Sequence, residues 1–218
     1  MKGVITVKGY QKRYDEALKG DLKSVESNGC LMRISPLSVM FVNSPHFISQ
    51  DCCLTNPSVL CQDICMTYCQ ALYQLIHGVD PSQIYDHIKA TTQEPTLVAV
   101  YRDIDQGQQR DVKPNKGWIV HSFYCAMFAL ASLRSNVAYN HLIDQIIGWG
   151  GDTDTNAAIA GAVIGAYLGN KKLSTDPKFK GNWQVLLDAD TSKGNYPRDE
   201  CYHPKQIPAL ATALSRLA

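Results

Sequence analysis

The sequence predicts a protein built mainly from α-helices. Apolar residues keep helical spacing between Val59 and Ile76, and a second apolar segment runs from Trp118 to Ser135. The strand-like run from Val4 to Val7 is too short to decide the fold class. With 218 residues, 45% of them hydrophobic, the chain has enough apolar mass for one core, so we expect a single domain over residues 1–218.

The first predicted helices follow one another closely. Asn56 and Pro57 have the residue types of an N-cap and a first helical position, and Gly78 is expected to end the helix that they begin. A shorter amphipathic helix is expected from Ser82 to Thr92. The segment from Asp103 to Gly117 is rich in Gln, Gly, Pro and charged residues, which favours a polar loop.

The most apolar segment, from Trp118 to Leu133, falls short of the roughly 18 apolar residues of a membrane-spanning helix. It therefore predicts a helix that is buried in the core. A histidine in such a helix, here His121, is more often a core residue than a catalytic one.

Two further helices are expected, from Ala138 to Trp149 and from Thr155 to Leu168. The second has a face of small residues that would admit a close neighbour, although each interior glycine costs about 1 kcal/mol relative to alanine. This face consists of Ala157, Gly161 and Gly165. Residues 170–218 are expected to form a loop-rich cover, with a short strand or helix from Trp183 to Leu187.

The charge balance bears on the choice of partners. Lys and Arg number 21 against 20 Asp and Glu, so the net charge of +1 creates no global field for nucleic acid or an anionic membrane. We expect neither partner. No secretory signal follows Met1, so a cytoplasmic location is expected.

The eight cysteines are expected to be reduced, since disulfide frameworks belong to short secreted chains. Cys61, Cys65 and Cys69 recur every four residues along one face of a predicted helix. A buried free cysteine behaves as a small apolar residue. Because no Cys-x-x-Cys pair is present, core packing is favoured over metal binding and no zinc site is assigned.

The segment from Gly150 to Gly161 is the most informative in the chain. The carboxylates of Asp152 and Asp154 and the hydroxyl of Thr155 lie at the start of a predicted helix, after two glycines that permit a sharp turn. Mg²⁺ prefers oxygen ligands of this kind. An acidic N-cap, worth about 0.3–1 kcal/mol through the helix dipole, would explain one aspartate. The residues alone leave both interpretations open.

This segment closely resembles the C-terminal metal motif of the ADP-ribosylglycohydrolase family. Other family blocks occur in the same order. Asn28 to Leu37 resembles the Asn-Gly-x-x-Met-Arg block that lines ADP-ribose, Thr55 to Pro57 resembles a Thr-His-Pro block, and Gly117 to Ser122 resembles a Gly-Tyr-Val-x-x-Thr/Ser helix. The resemblance covers about residues 27–169.

The resemblance implies an all-α, orthogonal helical bundle that holds two Mg²⁺ ions. It implies hydrolysis of the glycosidic bond between ADP-ribose and an acceptor, which is a protein side chain or a small molecule. The implied metal ligands are Asp152, Asp154 and Thr155. The implied residues of the ADP-ribose pocket are Asn28, Gly29, Arg33 and Asn56. An arginine suits a phosphate and a carboxylate equally, so a salt bridge that pins a loop is the alternative for Arg33.

The sequence also departs from the family pattern. The other metal ligands of the family come from an N-terminal Thr-Asp-Asp-Thr block, which is absent here together with its Gly-Asp-x-x-Gly stretch and catalytic acid. No catalytic residue is therefore assigned. The acidic residues before Asn28 stand in no such motif; they are Asp15, Glu16, Asp21 and Glu26. Asn56 replaces the histidine of the Thr-His-Pro block and cannot shuttle a proton near neutral pH.

Three interpretations follow from this departure. The chain is expected to be an N-terminally truncated hydrolase, one part of a split enzyme, or a non-catalytic ADP-ribose-binding or structural descendant. In the first two cases the partner would be the missing N-terminal segment. Uncovered apolar helix faces would otherwise favour self-association.

Overall fold

A computed structural model describes residues 12, 15, 19, 25–43, 45–135, 138–193 and 195–216. The described residues form ten α-helices and no β-strand, which confirms the all-α fold class. The predicted strand from Val4 to Val7 lies outside the described residues. Most of the chain up to Tyr167 belongs to one compact unit, and residues from Leu168 onward belong to a second.

Eight of the described helices begin within the first unit. They are α1 (Leu31–Ile34), α2 (His46–Cys53), α3 (Val59–Ile76), α4 (Pro81–Thr91), α5 (Pro95–Asp105), α6 (Ile119–Ser132), α7 (Tyr139–Gly148) and α8 (Thr153–Leu173). Short 3₁₀ helices follow α1 and α6, at Ser35–Met40 and Leu133–Ser135.

Most of these helices occur where the apolar spacing predicts them, and the differences lie at their ends. Helix α3 begins at Val59 with Ser58 as its N-cap, so Asn56 does not cap it. Helices α1 and α2 are additions, and so is α5, which ends three residues into the polar loop expected from Asp103. Its first turn is set by Pro95 and by the Glu94 carboxylate, which accepts a hydrogen bond from the Leu97 amide at 2.8 Å.

Helices α3 and α6 lie at the centre of the first unit. Helix α6 buries eleven of its residues, from Ile119 to Leu130, because it is apolar on every side. It packs against α3, α4, α5 and α7. Helix α3 packs in addition against α1, α2 and the 3₁₀ turn after α1. Among the described residues, none of the helices combines the length and apolar character that crossing a membrane requires.

One residue of the small-residue face of α8, Gly161, lies next to α7. A Cβ atom added at Gly161 would lie 3.8 Å from Ile143 Cδ1, which is an ordinary contact distance. Steric crowding therefore does not require glycine at this position. The Tyr68 hydroxyl of α3 donates a 2.9 Å hydrogen bond to the Ile159 carbonyl and ties α3 to α8.

The second unit contains α9 (Pro177–Leu187) and α10 (Ile207–Leu214), with 3₁₀ turns at Glu200–Tyr202 and Pro204–Gln206. Helix α9 includes the segment for which a strand or a helix is expected. Its N-cap is Asp176, whose carboxylate accepts a hydrogen bond from the Phe179 amide at 2.9 Å.

Candidate functional site

The first turn of α8 is preceded by two glycines with left-handed backbone. Gly150 has φ of 80° and Gly151 has φ of 75°, a region that other residues rarely adopt. At Gly151 an added Cβ would lie only 2.4 Å from the Val112 carbonyl oxygen. This position therefore admits only glycine, and the turn brings the start of α8 against the loop that precedes α6.

The three predicted metal ligands differ in exposure. Asp152 is half-buried just before α8, Asp154 is exposed in the first turn, and the Thr155 side chain is buried with 7% of its surface accessible. Within the part of the chain that the structure describes, Asp154 and Thr155 form no side-chain hydrogen bond. Asp152 is held by a partner from a distant part of the sequence.

That partner is Asn28, which lies 124 positions away. Its Nδ2 donates a 2.7 Å hydrogen bond to Asp152 Oδ2 and a 3.2 Å bond to Ser122 Oγ. The Ser122 hydroxyl then donates to Asn156 Oδ1 at 2.7 Å. Asn28, Ser122 and Asn156 are buried, so this polar chain lies at the meeting point of the Asn28 turn, α6 and α8.

Backbone pairing fixes the position of Asn28. Its amide donates to the Gly117 carbonyl at 2.9 Å, and the Ile119 amide donates to the Glu26 carbonyl at 3.0 Å. Between these bonds Ser27 and Trp118 form an isolated antiparallel bridge. The segment before α1 is therefore held against the start of α6 along its backbone.

Glu26 reinforces this pairing. Its Oε2 accepts a 3.2 Å hydrogen bond from Trp118 Nε1, and its Oε1 accepts one of 3.2 Å from Ser58 Oγ. Both carboxylate oxygens therefore have partners at the N-termini of α6 and α3. Glu26 therefore stabilises the fold through these two bonds, and no hydrogen bond links it to Asp152.

Asn56 binds the other side of the same segment. It is 2% exposed, and its Nδ2 donates to the Val25 carbonyl and to both Ser27 O at 3.1 Å and Ser27 Oγ at 3.0 Å. Its Oδ1 accepts a 2.6 Å bond from Thr55 Oγ1. The Thr-Asn-Pro corner therefore shapes the turn that carries Asn28, and contact of Asn56 with substrate stays a prediction.

The Arg33 side chain holds neighbouring segments of the chain together. Its Nε lies 2.9 Å from Asp51 Oδ2, its Nη2 donates to the Asp51 carbonyl at 2.5 Å, and its Nη1 donates to the Gly29 carbonyl at 3.0 Å and Thr55 Oγ1 at 2.9 Å. The salt bridge that the sequence offered as an alternative is thus formed. A role of Arg33 or Gly29 in substrate binding stays a prediction.

His121 is a core histidine. It is 5% exposed, stands edge-on to Trp118 with 5.3 Å between ring centroids, and its Nε2 donates to the Pro114 carbonyl at 2.8 Å. Burial lowers the pKa of His121, with the nearby Arg110 charge acting in the same direction. Its Nδ1 has no hydrogen-bond partner among the described residues. His121 therefore anchors the loop before α6 as a neutral side chain.

The oxygen atoms at the start of α8, from two carboxylates and one hydroxyl, are ligand types that suit Mg²⁺. Asn28 takes up one oxygen of the Asp152 carboxylate, Oδ2, while Oδ1 accepts no hydrogen bond from the described residues. Asp154 is exposed and Thr155 offers a hydroxyl. No third carboxylate, imidazole or thiol of the described residues lies close enough to complete a ligand group with these aspartates. Two carboxylates with retained waters are a usual Mg²⁺ environment.

Ser122 and Asn156 had no predicted site role. Both are fully buried polar residues within largely apolar helices. That pattern was visible in the sequence, because Ser122 and Asn156 both belong to the recognised blocks. The amide Nδ2 of Asn156 has no partner among the described residues. The hydrogen-bond partners of Ser122 and Asn156 depend on how α6 packs on α8, which the sequence does not show.

Comparison with known proteins extends the match. The family model described as ADP-ribosylglycohydrolase matches residues 3–188 of the chain. A protein of Acanthamoeba polyphaga mimivirus with the name "Putative ADP-ribosyl glycohydrolase" is 29% identical over 169 residues, which cover 66% of this chain and 50% of the viral protein. The chain thus spans about half the length of this curated relative. No solved structure matches the chain significantly.

Proposed function

The chain belongs to the ADP-ribosylglycohydrolase family, and from this premise we propose that it hydrolyses the glycosidic bond between ADP-ribose and an acceptor. The acceptor is a protein side chain or a small molecule. Mg²⁺ is the proposed cofactor, with Asp152, Asp154 and Thr155 as its ligands from this chain. Asn28, Gly29, Arg33 and Asn56 are the proposed residues around ADP-ribose.

One observation carries the proposal, which is the 2.7 Å hydrogen bond from Asn28 to Asp152. The two residues belong to separate sequence blocks, one proposed to line ADP-ribose and the other to hold metal. Their contact supports the proposal, because it brings residues of these two blocks within hydrogen-bond distance. A capped helix start would not need a partner from residue 28, so this contact favours a site over a simple cap.

The residues of the chain would act by holding their groups in place. Asn28 can only donate to the Asp152 carboxylate, so this bond fixes the carboxylate orientation before any ligand arrives. Ser122 and Asn156 in turn restrain Asn28 from the core side. When bound, Mg²⁺ would supply a Lewis acid for ribose oxygens and for a water molecule.

Release of ADP-ribose tests the proposal. The wild-type protein is incubated with Mg²⁺ and ADP-ribosylated arginine, ADP-ribosylated serine or O-acetyl-ADP-ribose, and free ADP-ribose is quantified. We expect release from one of them and its loss in the Asp154→Asn variant. Asp144→Asn, an exposed carboxylate on α7, is the matched control and should keep the wild-type rate. No release above the blank from any substrate would refute the hydrolase.

A second candidate is a module that binds ADP-ribose without turnover. It is favoured by the small number of metal-ligand groups near Asp152 and Asp154 in the described residues, and by Asn56, which carries no titratable proton. Calorimetry separates the two candidates. Binding of ADP-ribose that persists in EDTA and in an Asp152→Ala/Asp154→Ala variant would favour the module, whereas binding that needs Mg²⁺ and both aspartates would favour the hydrolase.

A further inference from the structure

Three thiols meet in the core of the first unit, in a group that does not include Asp152 or Asp154. The Sγ atoms of Cys30, Cys52 and Cys65 all lie within 4.8 Å of one another. Each of these side chains has no exposed surface. Cys61, also fully buried, precedes Cys65 by one turn of α3 and lies outside this group of three, with its thiol donating to the Val25 carbonyl at 3.7 Å.

The convergence comes from three separate elements. Cys30 stands just before α1, Cys52 lies in the last turn of α2, and Cys65 lies in the middle of α3. The helical spacing of Cys61 and Cys65 was the only sequence signal for this group. Core packing explains burial of each cysteine, but it does not require that three sulfur atoms from three elements point to a common centre.

The spacing of the sulfur atoms fits a thiolate metal site. Zinc–sulfur bonds of about 2.3 Å in a tetrahedron place neighbouring sulfur atoms about 3.8 Å apart. The three Sγ atoms are already within 4.8 Å of one another, so contraction by about 1 Å at most would bring them to that separation. Within the part of the chain that the structure describes, no other group of His, Cys, Asp or Glu side chains brings three ligand atoms this close.

We infer that Cys30, Cys52 and Cys65 form a buried structural site for Zn²⁺ that does not include Asp152 or Asp154. Cys61 would become the fourth ligand when its thiol leaves the Val25 carbonyl. Each ligating thiol loses its proton to solvent as its sulfur–zinc bond forms.

The place of this site in the fold indicates its role. Cys30 lies two residues after Asn28, and Cys52 Sγ donates to the Asn56 carbonyl at 3.3 Å. A metal held by these thiols would join the turn that carries Asn28 to α2 and α3. The ion would stabilise the folded state directly, because such a site does not exist in the unfolded chain.

Metal analysis of the full chain, purified under reducing conditions, tests the inference. We expect about one equivalent of zinc per chain and a fall in Tm when a strong chelator removes it. Co²⁺ titrated into the metal-free protein should give the near-ultraviolet charge-transfer absorption of several thiolate ligands. This measurement needs no variant, so it does not depend on whether a cysteine variant folds.

Variants then locate the ligands. Cys52→Ser and Cys65→Ser should lose zinc and the cobalt absorption, whereas Cys125→Ser, a buried cysteine of α6 outside the group, should keep both. Asp152→Ala/Asp154→Ala should also keep both, so failure of the hydrolase proposal is distinguishable from failure of this one. A reduced wild-type protein that binds neither metal, a disulfide within the group in place of metal, or equal zinc content in Cys65→Ser and the wild type would overturn the inference.

Discussion

Asn28 shows how much of the candidate site depends on one side chain. Its amide nitrogen donates to a carboxylate and to a hydroxyl in the protein interior. An ionised carboxylate can only accept, which determines the orientation of the amide and the direction of the bonds that follow it. The hydroxyl of Ser122 must then donate onward to Asn156. Each member of this chain is therefore constrained by the others.

Removal of the Ser122 hydroxyl should cost stability. The Ser122→Ala variant leaves an oxygen of Asn156 and a hydrogen of Asn28 without this partner, and we expect the free energy of unfolding to fall by about 1–3 kcal/mol. Denaturant unfolding measures it. Ser132→Ala on the same helix is the control, since the Ser132 hydroxyl donates to the Phe128 backbone carbonyl one turn earlier, 2.8 Å away. Equal effects of the two variants would contradict the proposed network.

His121 predicts a pH dependence of stability. Burial lowers the pKa of His121 in the folded state, so the unfolded state binds the proton more readily. Stability is therefore full above the unfolded value of about 6.5 and falls as the pH drops below it, until the lowered pKa of the folded state is reached. Unfolding experiments between pH 7.5 and 5, at intervals of about half a unit, measure the slope.

The His121→Gln variant keeps an amide that can donate to the Pro114 carbonyl but does not titrate. In this variant we expect the free energy of unfolding to depend less steeply on pH. His87→Gln, at an exposed position on α4, should keep the wild-type dependence. A wild-type slope that survives in His121→Gln would show that another group is responsible.

At the residue scale, the sequence indicated which residues belong to the candidate site but not which groups their side chains bond. Arg33 was equally suited to a phosphate or to a carboxylate, and only the packing of α2 beside it shows the Asp51 pairing. Asn56 is a residue type that often caps helices, yet its side chain donates to the backbone carbonyls of Val25 and Ser27. Such tertiary partners leave no periodic signal in the chain.

At the scale of elements, substitution of the glycine before α8 and of a glycine within it should have opposite effects on stability. Gly151→Ala would place a Cβ 2.4 Å from the Val112 carbonyl in a left-handed conformation, so it should destabilise the protein strongly and displace Asp152. Gly161→Ala meets only an ordinary contact in a helix interior and should raise stability by about 0.5–1 kcal/mol.

Thermal unfolding of both variants provides the comparison, and far-ultraviolet circular dichroism at low temperature verifies that each is folded. A neutral Gly151→Ala variant would contradict the close approach of the loop before α6. A destabilised Gly161→Ala variant would show that α7 lies closer to α8 than the structure places it.

Elements with a strong apolar period were predictable, and those defined by capping were less so. The apolar spacing of α3, α6 and α7 located them within a few residues. Helix α5 had only local signals, Glu94 and Pro95, before a polar sequence that favours a loop. The 26–28 pairing with 117–119 could not be predicted, because two isolated backbone bonds require no side-chain pattern.

At the scale of the whole molecule, the all-α architecture brings the recognised blocks into contact. The family match extends from residue 3 to residue 188, beyond the blocks visible by eye between about 27 and 169. Within the first unit, α6 supplies Ser122, α8 supplies Asn156, the turn just before α8 supplies Asp152, and the turn before α1 supplies Asn28. The helical scaffold thus determines where the polar residues meet.

Asn28 and Asp152 are proposed to act together in one hydrolytic site. A double-mutant cycle on the rate of ADP-ribose release in Mg²⁺, with Asn28→Ala, Asp152→Ala and the double variant, measures their coupling. Each single change should lower the rate at least about tenfold, since a hydrogen bond to a charged group is worth about 1.5–3 kcal/mol. The double variant should be no slower than Asp152→Ala alone. Multiplicative losses in the double variant, or a wild-type protein that releases no ADP-ribose, would contradict this account.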